Sequence, residues 1–509
     1  MKIVILLSLI ILTGLSGCQK SRETSAKKWN EAVAIHFDST LKPFYHGVAS
    51  GDPLPDCVIL WTRVTPEDSL ASISVTWEVA EDANFSSVYK SDSLQTTTTR
   101  DYTVKVDVDA LKPDQVYYYR FTALGKTSIT GRTKTAPVNA KDSLKFAVVS
   151  CANWEWGYFN GYDKIADRPV LDAVLHLGDY IYEYGTGRYG DTTIGRFNIP
   201  AHEVISLADY RTRYSLYRLD KGLRRIHQQH PFIAIWDDHE IANNSYVSGA
   251  QNHQPDEGDY MARKAAAKQV YYEWIPIRES GQHYRSFSFG PMADVIMLDE
   301  RLAGRTQQAD SLQDPRYSSE QQSMLGPEQL QWLESNLAQS KATWKVIGNQ
   351  VIFSPIDLSA FHYKYPNLDN WNGYPRERKK IMNFIQAKKL KDVVILTGDT
   401  HASWAIEVNN EIKKAYQPLA LEFGTPSISS SNSDEGKSVA EVKEIEANLL
   451  TSNPHLKYIN ERDHGYLLLT LFPQKVKSEW YYVETLRKPE SKEFLAKKYE
   501  VEKGSVRLK

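Results

Sequence analysis

Cysteine is almost missing from this chain: Cys18, Cys57 and Cys151 are its only three, too few for a disulfide-dense scaffold. An excess of one charge is missing too, since 61 Lys and Arg face 63 Asp and Glu for a net charge of −2. With no Lys/Arg block to track a phosphate backbone, nucleic acid is removed as the default partner. Repeats and low-complexity tracts are absent, and the apolar run that opens the chain is too short for a comfortable membrane span. What is abundant is aromatic: 30 Tyr and 12 Trp among ordinary charged residues mark a globular protein. At 509 residues the chain exceeds one hydrophobic core, so two domains, or one large and one small, are expected.

The start, "MKIVILLSLIILTGLSGCQK", carries one early Lys before its apolar run and ends in "LSGC". That ending resembles a bacterial lipobox, which implies a signal peptide over 1–17, cleavage before Cys18 and a lipid on its sulfur. An ordinary signal peptide or anchor is the alternative. The lipobox reading makes 18–40 a tether, polar and irregular from Gln19 to Glu31, and the protein an exported bacterial lipoprotein of the periplasm, outer membrane or cell surface. The lipid is then its only membrane contact, and a monomer is the working expectation. Cys57 and Cys151 remain as a disulfide, as buried thiols or as ligands.

From about Phe44 to Pro137 the runs "CVILWTRV", "ISVTWEVA", "YTVKVDV", "VYYYRFTAL" and "TSITGRTKT" are short, rich in β-formers and separated by turn residues. They predict a small antiparallel sandwich over 41–137. In "LKPDQVYYYRF", which has the look of a fibronectin III or immunoglobulin-like strand, Tyr117, Tyr119 and Phe121 share one face. After Pro137 the pattern changes. "LKFAVVSC", "AVLHLGD", "FIAIWDD", "VIMLDE", "WKVIGNQVIF" and "DVVILTGD" are nearly continuous in apolar residues, as strands covered on both faces are. Helix candidates lie between them, notably "GPEQLQWLESNLAQS" and "PRERKKIMNFIQAKKL". The fold class is therefore α/β over 138–486, with a charged tail at 487–509 that is a capping helix or a frayed end.

Four apolar runs stop at polar clusters: Ser150 and Cys151; Gly178 and Asp179; Asp237, Asp238, His239 and Glu240; Gly398, Asp399 and His401. An Asp after a strand, taken singly, is most often a helix cap or turn former. Four such ends are not four independent caps, and ligands of α/β folds gather beyond the carboxyl ends of strands. Tyr182 follows Asp179 by three residues, and Asn243 and Asn244 follow the third cluster. Carboxylates and a phenolate are hard donors, imidazole is intermediate, and a lone thiolate among them is uncommon. The set suits two close cations bridged by Asp179, one activating water while both hold phosphoryl oxygens.

At these residues the chain resembles the PhoD-like alkaline phosphatase and phosphodiesterase family, an offshoot of the calcineurin-like metallophosphatases. "SCAN", "HLGDYIYEYG", "WDDHEIANNSY", "VIMLDERLAGRTQ", "WKVIGNQVIFS", "GDTHASW", "EFGTPSISSS" and "NPHLKYINERDHGYL" occur in the family's order. The resemblance implies metallophosphatase-like layered sheets flanked by helices, with the sandwich in front. It makes Cys151, Asp179, Tyr182, Asp399 and His401 metal ligands, with Fe3+ held by thiolate and tyrosinate beside Ca2+, other divalent metals being options. Asp238 takes a ligand position, Asn243 is a further ligand candidate, and His239 faces the leaving group. Arg301 and Arg305 match the family's Arg-containing segment after "VIMLD", where one guanidinium would clamp phosphate oxygens, a surface ion pair with a neighbouring Asp or Glu being the alternative for either one. A disulfide between Cys57 and Cys151 is then disfavoured.

Two departures stand out. The family commonly reads Trp-Asp-Gly-Tyr where this chain has "WNGY", with Asn372 for Asp, and its secreted members often carry a twin-arginine leader where Lys2 stands alone. The expectation is a metal-dependent hydrolase of phosphate esters in which an activated hydroxide attacks phosphorus in line. The competing reading is an inactive surface binding or adhesion lipoprotein on the same scaffold. Completeness of the ligand set favours the enzyme.

Overall fold

The computed structural model describes residues 32–279, 281–359, 367–412 and 415–508, so the leader and Cys18 lie outside the described residues. The apolar runs form two large mixed sheets. In one, nine strands stand in the order Glu493–Glu502, Lys475–Val483, Gly465–Leu471, Leu144–Val149, Ala173–His176, Phe232–Ala234, Val48–Gly51, Val58–Arg63 and Thr103–Val108. In the other, Ala293–Met297, Trp344–Gly348, Val393–Thr397 and Ala420–Gly424 run parallel at the centre of seven strands.

The sheets face each other across one core that includes Phe146, Val148, Leu175, Met297, Val346 and Leu396. Helices cover both outer faces. Tyr214, Leu223, Ile226 and Val270, from the helices Leu207–Arg218, Lys221–Gln229 and Tyr260–Trp274, pack on the nine-stranded sheet. Leu333, Leu337, Ile381 and Ile385, from Gly326–Gln339 and Pro375–Ala387, pack with residues of the seven-stranded sheet. Burial on both faces is why these strands read as unbroken apolar runs rather than alternating ones.

The amino-terminal sandwich differs from expectation in one respect. Its five-stranded sheet, including Ile73–Ala80, Val88–Thr96 and Val116–Ala123, packs on Val48, Val58, Leu60 and Val104. Those four belong to the nine-stranded sheet, where Val48–Gly51 pairs in parallel with Phe232–Ala234. The sandwich thus borrows a wall from the catalytic sheet, and the division at 137 cuts across a hydrogen-bonded sheet. Within it Tyr117, Tyr119 and Phe121 are all buried, as their alternation predicts.

Both chain ends also differ. The segment 18–40 is not a free tether throughout: Val33 is fully buried in the helix-side core, and Phe37 stacks on Tyr45. The charged tail is neither helix nor frayed. Glu493–Glu502 is the edge strand paired with Lys475–Val483, and its alternation places Tyr499 and Val501 in the core. Lys and Glu on the open face of an edge strand discourage further pairing.

His227, fully buried against Phe232 with its Nε2 at 2.9 Å from the Tyr180 hydroxyl, has an Nδ1 without a partner among the described residues. Burial first, then the charges of Arg218 and His176, hold its imidazole well below its usual range. Below about pH 6.5 the unfolded ring takes a proton that the folded ring refuses, so stability is lost as pH falls, by about 1.4 kcal/mol per pH unit. In His227→Gln that share is absent. Denaturant unfolding of both proteins at pH 7, 6 and 5 is expected to show wild type losing stability relative to the variant by that slope, and parallel curves would refute it.

Candidate metal centre and active site

Where the parallel strands of the two sheets end, four of the predicted donors sit in left-handed backbone: Cys151 at φ 60°, Asp179 at 57°, Asp399 at 61° and His401 at 60°. Glycine adopts this conformation freely and other residues at a cost of about 1 kcal/mol or more. Side chains with donor atoms stand there despite that cost. At Gly178 only glycine fits, because a Cβ would lie 2.4 Å from the Asp237 amide nitrogen. This close approach brings the Asp179 and Asp237 turns together.

The donors fall into overlapping groups whose ligand atoms lie within 4.8 Å of one another: Cys151, Asp179 and His401; Asp179, Asp238 and His239; Asp237, Asp238 and Asp399. Asp179 belongs to the first two and Asp238 to the last two. The Tyr182 hydroxyl is 3.0 Å from Asp179 Oδ2 and 3.1 Å from His401 Nε2, so it joins the first group. His401 Nδ1 is held at 2.5 Å by the Ser431 carbonyl, which turns Nε2 to the cluster. Ser429 and Ser430, beyond the strand Ala420–Gly424, donate their amides to the Cys151 carbonyl at 3.3 and 3.2 Å and tie the two sheets together here. Cys57 and Cys151 are both free thiols.

The electrostatics call for cations. Burial raises the Asp179 carboxyl well above its usual range, with Asp237, Asp238 and Glu240 adding to the effect and His239 opposing it. Burial also pushes Asp237 up to about 8 and Asp399 to about 7, although Arg301 opposes both. The Cys151 thiol and the Tyr182 phenol are raised well above their usual values by burial and then by Asp179. Asp237 Oδ2 and Asp238 Oδ1 are buried without hydrogen-bond partners among the described residues. A thiol, a phenol, an imidazole and crowded carboxylates, two with orphan oxygens, fit metal ions better than they fit any pairing within the chain.

His239 donates or accepts through Nδ1 at 2.7 Å from Glu183 Oε2, which leaves Nε2 for a ligand. Burial works against its charged form, but Asp238, Glu183 and Asp179 outweigh it and hold a proton on the ring well above the usual imidazole range. Asn243 lines the same cavity, its amide nitrogen 2.5 Å from Gln251 Oε1. The cavity measures about 690 Å³ and is bordered also by Tyr184, Tyr189 and Asp369. Tyr184 and Tyr189 come from the loop 183–196 and Asp369 from the loop 359–370, of which 360–366 lies outside the described residues.

Arg301 and Arg305 require a correction. Both are fully buried and neither lines the cavity, so neither offers a free fork to a phosphate. Arg301 reaches Asp237 Oδ1 at 2.5 Å, Asp369 Oδ2 at 2.7 Å and Asp399 Oδ1 at 3.2 Å, and Arg305 reaches Asp369 Oδ1 at 2.5 Å. They are positioning residues that hold carboxylates in place.

Four further residues of the site have no role assigned from the sequence, although Asp237 and Glu240 stand in its third polar cluster. Asp237 completes the third donor group; only the doubled acid of "WDDHE" hints at it. Glu183 orients His239, and Glu240 accepts the amides of Asp179, Tyr180 and Asp237, which locks two turns. Asp369 meets Arg301 only through the fold, from 68 residues away.

Fold and site together are those of a phosphoester hydrolase. Models of the PhoD-like phosphatase and of the PhoD-like phosphatase N-terminal domain match residues 146–480 and 29–137, so the chain belongs to the PhoD-like phosphatase family. It is 36% identical over 474 residues to alkaline phosphatase D of Bacillus subtilis (strain 168), covering 88% of this chain and 79% of that protein. A solved structure of PhoD superposes with a TM-score of 0.83 at 34% identity, covering 92% of each chain. No helix among the described residues is long and apolar enough to cross a membrane.

Proposed function

We infer that the protein is an exported, lipid-anchored, metal-dependent hydrolase of phosphate mono- and diesters. The observation that carries this reading is Asp179, a buried carboxylate shared by two donor groups at the wall of one open cavity. One cation would be held by Cys151, Asp179, Tyr182 and His401, and a second by Asp179 and Asp238 with Asp399, Asn243 standing at the rim. Fe3+ in the first and Ca2+ in the second accord with family resemblance and with a thiolate and phenolate confined to the first. Cations held there would supply Lewis acidity, activating water and neutralising phosphoryl charge.

The chain's own residues do the rest. His239, fixed by Glu183 through Nδ1, presents Nε2 to the leaving oxygen and can donate a proton to it. Arg301 keeps Asp237 and Asp399 aimed at the centre. No nucleophilic side chain is needed, so displacement at phosphorus is direct and inverts configuration. The lipid anchor rests on "LSGC" ending at Cys18.

The test is to fractionate cells expressing wild type and Cys18→Ser and to assay each fraction on p-nitrophenyl phosphate and its bis-ester at alkaline pH. Wild-type turnover is expected in membranes and variant turnover in the soluble fraction. Chelation should abolish both, and reloading with iron and calcium should restore them. Activity that survives exhaustive chelation would overturn the metal-dependent reading, and soluble wild type would overturn the anchor. The ratio of the two rates sets monoester against diester preference.

A further inference from the structure

Beside the active cavity lies a second one of about 350 Å³, and the two share Leu358 and Asn367 in their walls. Its lining is apolar at Leu312, Ile356 and Leu368 but includes Tyr317, Asn372 and the guanidinium-bearing Arg378. Arg378 is 8% exposed. Its Nη1 donates to the Trp371 carbonyl at 3.3 Å and to Asn372 Oδ1 at 3.1 Å, and both partners are neutral.

Most other buried arginines do not share this state, and Arg218, whose partners are the neutral Tyr180 hydroxyl and His46 carbonyl, stacks on Trp61 and lines neither cavity. Arg301, Arg305 and Arg263 each pair with a carboxylate. Arg213 has none, but carbonyls occupy all three of its nitrogens, among them Ile199 at 3.2 Å and Pro200 at 2.9 Å. Arg378 uses one nitrogen of three, and among the described residues no carboxylate lies within ion-pair distance of it. The stretch 360–366, outside the described residues, reads AFHYKYP and contains no acid. Two acids stand near. Asp357 lines the cavity but is exposed and accepts the Ser359 amide at 2.9 Å. Glu422 is buried and occupied by the amides of Phe353 and Ser354 and the Thr397 hydroxyl.

Two further terms disfavour an unpaired cation here. Burial lowers the Arg378 pKa to about 10. Arg378 also stands in the first turn of the helix Pro375–Ala387, where the helix dipole favours anions over cations. Asn372, the residue that stands where an Asp is usual, leaves the guanidinium its full charge toward the cavity.

We propose that this second cavity is an anion subsite of the enzyme, in which Arg378 receives a phosphate, phosphonate or carboxylate group that the substrate carries beyond its scissile phosphate. The proposal rests on the phosphoester-hydrolase reading of the adjoining site. The guanidinium fork binds such a group through its two free nitrogens, the Tyr317 hydroxyl is at hand as a second donor, and the apolar wall accommodates the linker between the charges. Preferred substrates are therefore esters with two anionic groups.

The experiment compares p-nitrophenyl propyl phosphodiesters whose propyl chain ends in a phosphonate or in a hydroxyl, with bis(p-nitrophenyl) phosphate as reference. The C–P bond is not hydrolysed, so only the p-nitrophenyl ester reports. Wild type is expected to favour the phosphonate by about tenfold in kcat/KM, through KM. In Asn372→Asp, whose new carboxylate pairs with Arg378, and in Arg378→Gln the ratio should fall to near one, while Arg378→Lys should keep part of it. Because the readout is a ratio within each protein, partial loss of folded enzyme cancels. A wild-type ratio near one, or a ratio unchanged in both neutralised variants, would overturn the subsite. If none of the three esters is cleaved by metal-loaded wild type, the hydrolase reading itself fails and the subsite with it.

Discussion

Asp179→Asn is expected to lower kcat/KM on every phosphate ester by roughly a thousandfold or more while leaving the protein folded. The amide matches the carboxylate in size, so the buried pocket is not emptied. What changes is charge, at the one residue shared by the Cys151-containing and the His239-containing donor groups. The carboxylate accepts the His239 amide through Oδ1 at 3.4 Å and the Tyr182 hydroxyl through Oδ2 at 3.0 Å, and an amide can accept only one of these. Initial rates, bound metal and the unfolding midpoint of both proteins check the prediction. A variant that keeps its metals and more than a tenth of its activity would remove Asp179 from the centre of the mechanism.

Arg301→Ala should act on stability first. The guanidinium is fully buried and touches Asp237, Asp369 and Asp399, with Asp238 at 3.8 Å. Its removal strands carboxylates in a medium that cannot solvate them, at a cost of about 3–5 kcal/mol. The sign with pH follows from Asp237 and Asp399, already raised to about 8 and 7. A carboxyl whose folded pKa exceeds its unfolded one costs stability as pH rises from about 4 through the folded value. Without Arg301 both folded values move higher and the window widens. The deficit should therefore be small at pH 5, large at pH 9 and reduced by bound cations. Denaturant curves at the two pH values, with and without chelator, decide the matter. A deficit independent of pH would point instead to lost packing.

Much of the buried donor cluster is legible in the amino-acid order itself, for a local reason. A strand buried on both faces leaves an unbroken apolar run, and its carboxyl end is marked by the first polar residues after it. Cys151, Asp179, Asp238, Asp399 and His401 are each marked this way, and Tyr182 by its spacing from Asp179. The turns at Asp179 and Asp399 are equally local, because backbone conformation depends on immediate neighbours, whereas the close approach that requires glycine at 178 comes from distant Asp237. The alternation at Tyr117, Tyr119 and Phe121 is a two-residue period that needs no partner to be seen.

What only the tertiary structure decided is which distant groups meet. Arg301 and Arg305 read as candidate phosphate clamps because they match the Arg-containing segment of the family the chain resembles. Asp369, 68 residues further on from Arg301, occupies both in the core, and no sequence pattern couples the positions. The shared wall of the sandwich, the strand made by the charged tail and the unpaired Arg378 have the same origin. Hydrogen-bonded edges and buried charges are satisfied by whatever the fold brings within a few ångströms. Sequence alone thus determined the strands, the donors at their ends and the family they resemble. Folding determined which charges were neutralised and which remained free to bind, because solvation and Coulomb energy depend on distance in space rather than along the chain.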